Sequence, residues 1–98
     1  MSNPLKQLSE WYSAQCNGDW EHQYGIRIDT LDNPGWSVSV ELTGTALIGR
    51  PFKEVSTERT EADWLRCRVV GDKFEAFGGA TNLEEMLRIF VEWASSQR

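Results

Sequence analysis

Leu65-Arg66-Cys67-Arg68-Val69-Val70-Gly71-Asp72-Lys73-Phe74-Glu75-Ala76-Phe77 is the stretch that decides the fold class. Leu65, Cys67 and Val69 alternate with Arg66 and Arg68, the two-residue period of a strand with one face buried. Glycine standing first in the two-residue loop Gly71-Asp72 is the type II′ hairpin signal. The register that follows sets Val69 opposite Phe74 and Cys67 opposite Ala76 on one face, with Arg68 opposite Glu75 on the other. All three pairs agree chemically, so the stretch predicts an antiparallel hairpin with one apolar and one wet face.

The same period recurs upstream. Tyr24, Ile26 and Ile28 alternate with Gly25, Arg27 and Asp29, and Trp36, Val38, Val40 and Leu42 alternate with Ser37, Ser39 and Glu41. Asn33-Pro34-Gly35-Trp36 suits a type II turn, with proline second and glycine third. A two-residue loop pairing residue 33 with 36 would set Ile28 opposite Glu41, on the wrong face. A wider loop or a bulge is therefore predicted between these strands. Gly44, Gly49 and Pro51 interrupt the next segment. Within residues 46–60 only Phe52 to Arg59 has a strand-like pattern, that of a polar edge.

A helix is predicted at each end. Asn3 before Pro4 reads as an N-cap with proline at the first helical position. Leu5, Leu8, Tyr12 and Cys16 then form an apolar stripe with Trp11 beside it, and Asn17-Gly18 closes the helix. Near the C-terminus Gly78-Gly79 breaks the chain and Thr81-x-x-Glu84 is a capping box. The helix it opens carries Leu83, Met86, Leu87, Phe90, Val91 and Ala94, with Trp93 flanking. The predicted architecture is α+β over residues 1–98 as one domain: an antiparallel sheet of four to five strands with the N-terminal and C-terminal helices packed on one face. The expected core is Leu8, Tyr12, Ile26, Ile28, Val38, Val40, Leu65, Cys67, Leu87 and Phe90.

Composition narrows the function classes. The chain is 40% hydrophobic and 26% charged, as a globular protein is. No apolar run approaches the ~18 residues of a membrane span, and Met1-Ser2-Asn3-Pro4-Leu5-Lys6 lacks the apolar stretch of a signal peptide. A soluble, cytoplasmic protein is expected. Two cysteines build no disulfide framework, which fits a reducing compartment. Fifteen acidic residues against ten basic give −5, and that charge argues against nucleic acid as a partner. Residues 19–41 hold Asp19, Glu21, Asp29, Asp32 and Glu41 against Arg27 alone, so a cation-rich partner is expected there.

Catalytic signals are sparse. His22 is the one histidine, and Cys16, Asp19 and His22 follow one another at intervals of three. That spacing invites a thiol–imidazole or metal reading, but Asn17-Gly18 ends the helix between them and Cys16 belongs to the apolar stripe. Cys67 is predicted to face inward as a small hydrophobe. Gly78-Gly79-Ala80 precedes a helix without a phosphate-binding lysine, and Glu84-Glu85 would repel an anion. No metal site, cofactor or catalytic residue is assigned. The enzymatic alternative is a small thiol-dependent enzyme using Cys16 or Cys67 with His22.

Trp11-Tyr12-x-x-Gln15-Cys16-Asn17-Gly18-Asp19 runs into Trp20-Glu21-His22-Gln23-Tyr24-Gly25-Ile26-Arg27-Ile28-Asp29-Thr30-Leu31-Asp32-Asn33-Pro34-Gly35-Trp36. Together these resemble the immunity protein 53 family of bacterial polymorphic toxin systems. Leu42-Thr43-Gly44-Thr45, Asp63-Trp64-x-x-Cys67-Arg68-Val69 and Asn82-Leu83-Glu84-Glu85 extend the resemblance over roughly residues 8–94. It implies a cytoplasmic antitoxin without catalytic residues that binds a cognate toxin domain. A basic nuclease is one form such a partner takes. Asp19, Trp20, Glu21, Asp29, Asp32 and Trp36 are the expected toxin-binding residues, with carboxylates to steer and tryptophans to anchor. Of the two tryptophans, Trp36 opens the apolar face of its strand and is expected to be the more buried.

Overall fold

The computed structural model describes residues 3–97. Its elements run α1 (Pro4–Gln15), α2 (Trp20–Gln23), β1 (Ile26–Leu31), β2 (Gly35–Glu41), β3 (Val55–Glu58), β4 (Trp64–Val70), β5 (Lys73–Gly78) and α3 (Leu83–Ser96). The strands form one antiparallel sheet in the order β1-β2-β5-β4-β3. The class is α+β, with a helix at each end of the chain. No helix among the described residues is long and apolar enough to cross a membrane.

The β4–β5 hairpin has the register its sequence dictates: Val69 opposite Phe74, Cys67 opposite Ala76, Arg68 opposite Glu75. Gly71 takes the positive φ of +62° that the turn requires. Between β1 and β2 the loop is the wider one that parity demands, residues 32–34, with Leu31 opposite Gly35 and Ile28 opposite Val38. Gly35 already belongs to the ladder, so the predicted type II turn over residues 33–36 does not form. The polar segment 52–59 contributes the short outer strand β3.

Val38, Val40, Leu65, Cys67, Phe74 and Ala76 share one face of the sheet and are all buried. Against them α3 lays Met86, Leu87, Phe90, Val91 and Trp93, and α1 adds Leu8. Phe90 is the hub: its ring meets Trp11 and Phe74 edge-on, each with centroids 5.0 Å apart. Two expected core residues lie elsewhere. Ile28 is 37% exposed because β1 is the outermost strand, and Tyr12 is 38% exposed because α1 turns Pro4 and Leu8 inward instead. Leu5 of the predicted stripe is likewise exposed. Trp93, expected at the flank, is buried, with its indole N–H donating to the Pro51 carbonyl.

The caps divide. Asn3 accepts from the N–H groups of Leu5 and Lys6, as predicted. At α3 the N-cap is Asn82 and not Thr81. Its side-chain amide donates to Asp63 and Glu85 rather than capping the helix, leaving the buried Oδ1 without a partner.

Candidate partner-binding site

The segment between α1 and β1 is built around one tryptophan. After Gln15 the backbone extends at Cys16, and Gly18 takes φ +89°, which ends α1. The Asn17 side chain then accepts from the N–H groups of Asp19 and Trp20, at 3.0 and 2.9 Å. The Glu21 carboxylate reaches back to the N–H groups of Asn17 and Gly18, at 2.9 and 2.8 Å. Its own backbone N–H and these two hold the Glu21 carboxyl below the usual range.

This compact turn drives Trp20 into the protein. Trp20 is 5% exposed, its indole N–H donates to the Thr43 carbonyl at 2.8 Å, and its ring packs among Trp11, Tyr12 and Tyr24. Gly44 lies against the indole, where a Cβ would stand 3.0 Å from Cδ1, and its φ of +81° also favours glycine. Trp36 is only half-buried and donates to the Ala80 carbonyl at 2.9 Å. The expectation that Trp36 would be the deeper of the two is therefore reversed. A strand's period marks its inward face, whereas the single turn of α2 is too short to show one.

The carboxylates are placed differently. Asp19 is exposed and accepts from Gln23 at 3.4 Å. Asp29 is exposed on the sheet face opposite the buried Val38 and Val40, and Asp32 is exposed in the loop beyond β1. Among the described residues none of the three forms an ion pair. The fold thus gathers Asp19, Trp20 and Glu21 at one end of β1. It sets Asp29 midway along that strand, and Asp32 and Trp36 at the other end.

The face of the sheet away from the core carries Arg27, Ser37, Ser39, Arg66, Arg68, Lys73 and Glu75. Arg68 pairs with Glu75 at 3.2 Å and Lys73 with Glu41 at 3.5 Å. Trp64, Phe77 and Arg66 line a shallow groove there with Ser56 and Glu58. Sequence reading also missed a cluster beside α3. Arg59 donates to both oxygens of Asp63, at 3.0 and 2.9 Å, and to Glu85 at 2.7 Å. The four-residue spacing of Arg59 and Asp63 was its one visible trace.

The two thiols differ in exposure, Cys16 being half-buried and Cys67 buried. Cys67 is completely buried, and burial pushes its thiol up to about 12, the opposite of what a thiolate nucleophile needs. Cys16 donates to the Tyr12 carbonyl at 3.3 Å, and exposed His22 makes no hydrogen bond to either thiol. Among the described residues no three of His, Cys, Asp and Glu converge as metal ligands would.

The sequence model of the immunity protein 53 family matches residues 5–95, from the first turn of α1 to the last turn of α3. No curated protein and no solved structure is matched.

Proposed function

Because the chain belongs to the immunity protein 53 family, we propose that it acts in the cytoplasm, binding a cognate toxin domain and neutralising it by occlusion, not by chemistry. Asp19, Asp29 and Asp32 meet the toxin, and a basic partner such as a nuclease suits them. The observation that carries this reading is that all three carboxylates are exposed and, among the described residues, free of ion pairs, in a protein of net charge −5. Unpaired surface charge of one sign speeds encounter with an oppositely charged partner. Trp20, Glu21 and Trp36 support this surface from beneath: one closes the core, one fixes the turn, and one ties β2 to the approach of α3.

The test is charge reversal at both ends of β1. Asp19→Lys with Asp32→Lys is expected to slow toxin association about tenfold at low salt and to weaken its ionic-strength dependence, with the fold unchanged. A folded double variant that protects as well as the parent would overturn the acidic site. The middle of the same wet sheet face, around Arg66, Arg68 and Glu75, would then be the surface to test.

A further inference from the structure

β1 is the outermost strand on its side of the sheet, and its free edge can be read residue by residue. The N–H of Glu41 donates to the Gly25 carbonyl at 3.1 Å, which makes Gly25 and Glu41 a hydrogen-bonded pair. By antiparallel alternation the main-chain groups of Arg27, Asp29 and Leu31 turn toward β2. Those of Ile26, Ile28 and Thr30 turn outward. Natural sheets blunt such an edge with lysine, proline, a bulge or brevity. β1 has no lysine, proline or bulge; its two charged side chains, Arg27 and Asp29, are of opposite sign, six residues pair with β2 in unbroken register, and Ile28 is exposed. The opposite edge, β3, is only four residues long. There the Arg59 N–H bonded to Asp63 leaves just Ser56 and Glu58 facing out.

The β1 edge is complementary to itself. When two copies meet antiparallel with Ile28 opposite Ile28, Arg27 of each stands opposite Asp29 of the other, and Ile26 stands opposite Thr30. The outward main-chain groups of Ile26, Ile28 and Thr30 occupy the hydrogen-bonded positions of that ladder. Both charge pairs fall on the face away from the helices, and the two exposed Ile28 side chains meet on the other. Moving the centre by one residue either way sets Arg27 against Arg27 or Asp29 against Asp29, which is destabilising. We propose that β1 pairs with β1 of a second copy about a two-fold axis at Ile28, joining two five-stranded sheets into one. The contact is isologous, so the symmetry closes at two copies. It is independent of the toxin's identity: the pairing takes up Asp29, one of the three toxin-facing carboxylates proposed above, and leaves Asp19 and Asp32 at the ends of β1 free to meet the toxin.

Analytical ultracentrifugation of the full chain tests this up to about 100 µM, a range that reports weak interfaces. The parent is expected at twice the chain mass of 11.2 kDa. Asp29→Arg, folded by circular dichroism, is expected to weaken pairing at least tenfold, and Arg27→Asp to do the same. Combining Arg27→Asp with Asp29→Arg restores opposite charges across the axis and is expected to restore the dimer. A parent that stays monomeric throughout overturns the proposal, as does a folded Asp29→Arg that pairs as tightly as the parent. If either single variant fails to fold, the charge-balanced double variant decides: a folded monomer there overturns the pairing. A parent that is monomeric alone but loses toxin binding on Asp29→Arg also overturns it, and assigns the edge to the toxin.

Discussion

The backbone of Gly35 lies so close to the carbonyl oxygen of Gly78 that a Cβ has no room between them. Gly79 stands in the same relation to the Ala62 carbonyl, and a Cβ on Gly78 would come within 2.8 Å of the Met86 sulfur. The three glycines let β2, β5 and the start of β4 converge beneath the first turn of α3. Gly35→Ala is therefore expected to cost about 1–3 kcal/mol, the range for forcing extra volume into a packed site. Gly25→Ala, where a Cβ meets nothing within 4 Å, is the matched control and should be nearly neutral. Equal denaturant midpoints for the two variants would contradict the tight corner.

Phe90 has no exposed surface and touches rings from α1, β5 and α3 itself. Phe90→Ala is expected to cost about 3–5 kcal/mol, a large part of the stability of a domain this size. Chemical denaturation measures it, and a loss below about 1 kcal/mol would mean that the helix-on-sheet core is not the main source of stability.

Acid should act on the carboxylates that the fold holds ionised. The Arg59 hydrogen bonds, and then that of Asn82, keep the Asp63 carboxyl below its usual 3.8, and backbone N–H groups keep Glu21 below 4.5. A carboxyl depressed on folding contributes stability above its unfolded value, and that contribution is lost as pH falls through the folded one. The denaturation midpoint is thus expected to hold from neutral pH to about 5 and to fall below about 4. Asp63→Asn should lower stability at neutral pH and flatten this acid limb. A variant with the parent's stability and the parent's acid limb would show that the Arg59 cluster is thermodynamically idle.

Alkylation should separate the two cysteines. Cys67 is sealed in the core with its thiol protonated, so iodoacetamide is expected to reach it only at the rate of unfolding, while partly exposed Cys16 reacts from the folded state. Mass spectrometry of the native protein gives the order, and early label on Cys67 would contradict its burial.

What the sequence disclosed and what it withheld have separate physical causes. The β4–β5 hairpin was legible because turn glycine, apolar pairs and the Arg68–Glu75 pair all demand one register. The faces of β1 and β2 were legible too, but a period of two tells which side chains share a face and not whether anything covers them. Ile28 and Trp36 lie accordingly nearer the surface than their pattern suggests. Along α1 a stripe is wider than the contact it makes, so the position of α3 decides that Leu8 is buried and Tyr12 is not. At α3 two overlapping cap spacings exist, Thr81 with Glu84 and Asn82 with Glu85, and the neighbouring Asp63 favours the second. The exposed carboxylates could be foreseen as polar residues on strands and loops. Their separation along the sheet margin depends on strand order, which no local pattern encodes.

The pairing of β2 with β5 has a kinetic consequence. It sets Val38 against Ala76 and Val40 against Phe74, residues more than thirty apart in the chain. On one side of that seam lies the β1–β2 hairpin, and on the other a three-stranded unit with α3, against which α1 packs. Neither side can shelter its apolar face alone. The loop between β2 and β5 must close before burial repays it, a topological delay known from β-rich chains. Substitutions at Val38 or Val40 should therefore slow refolding as well as weaken the native state, whereas changes in the β4–β5 turn should act on a hairpin that assembles early.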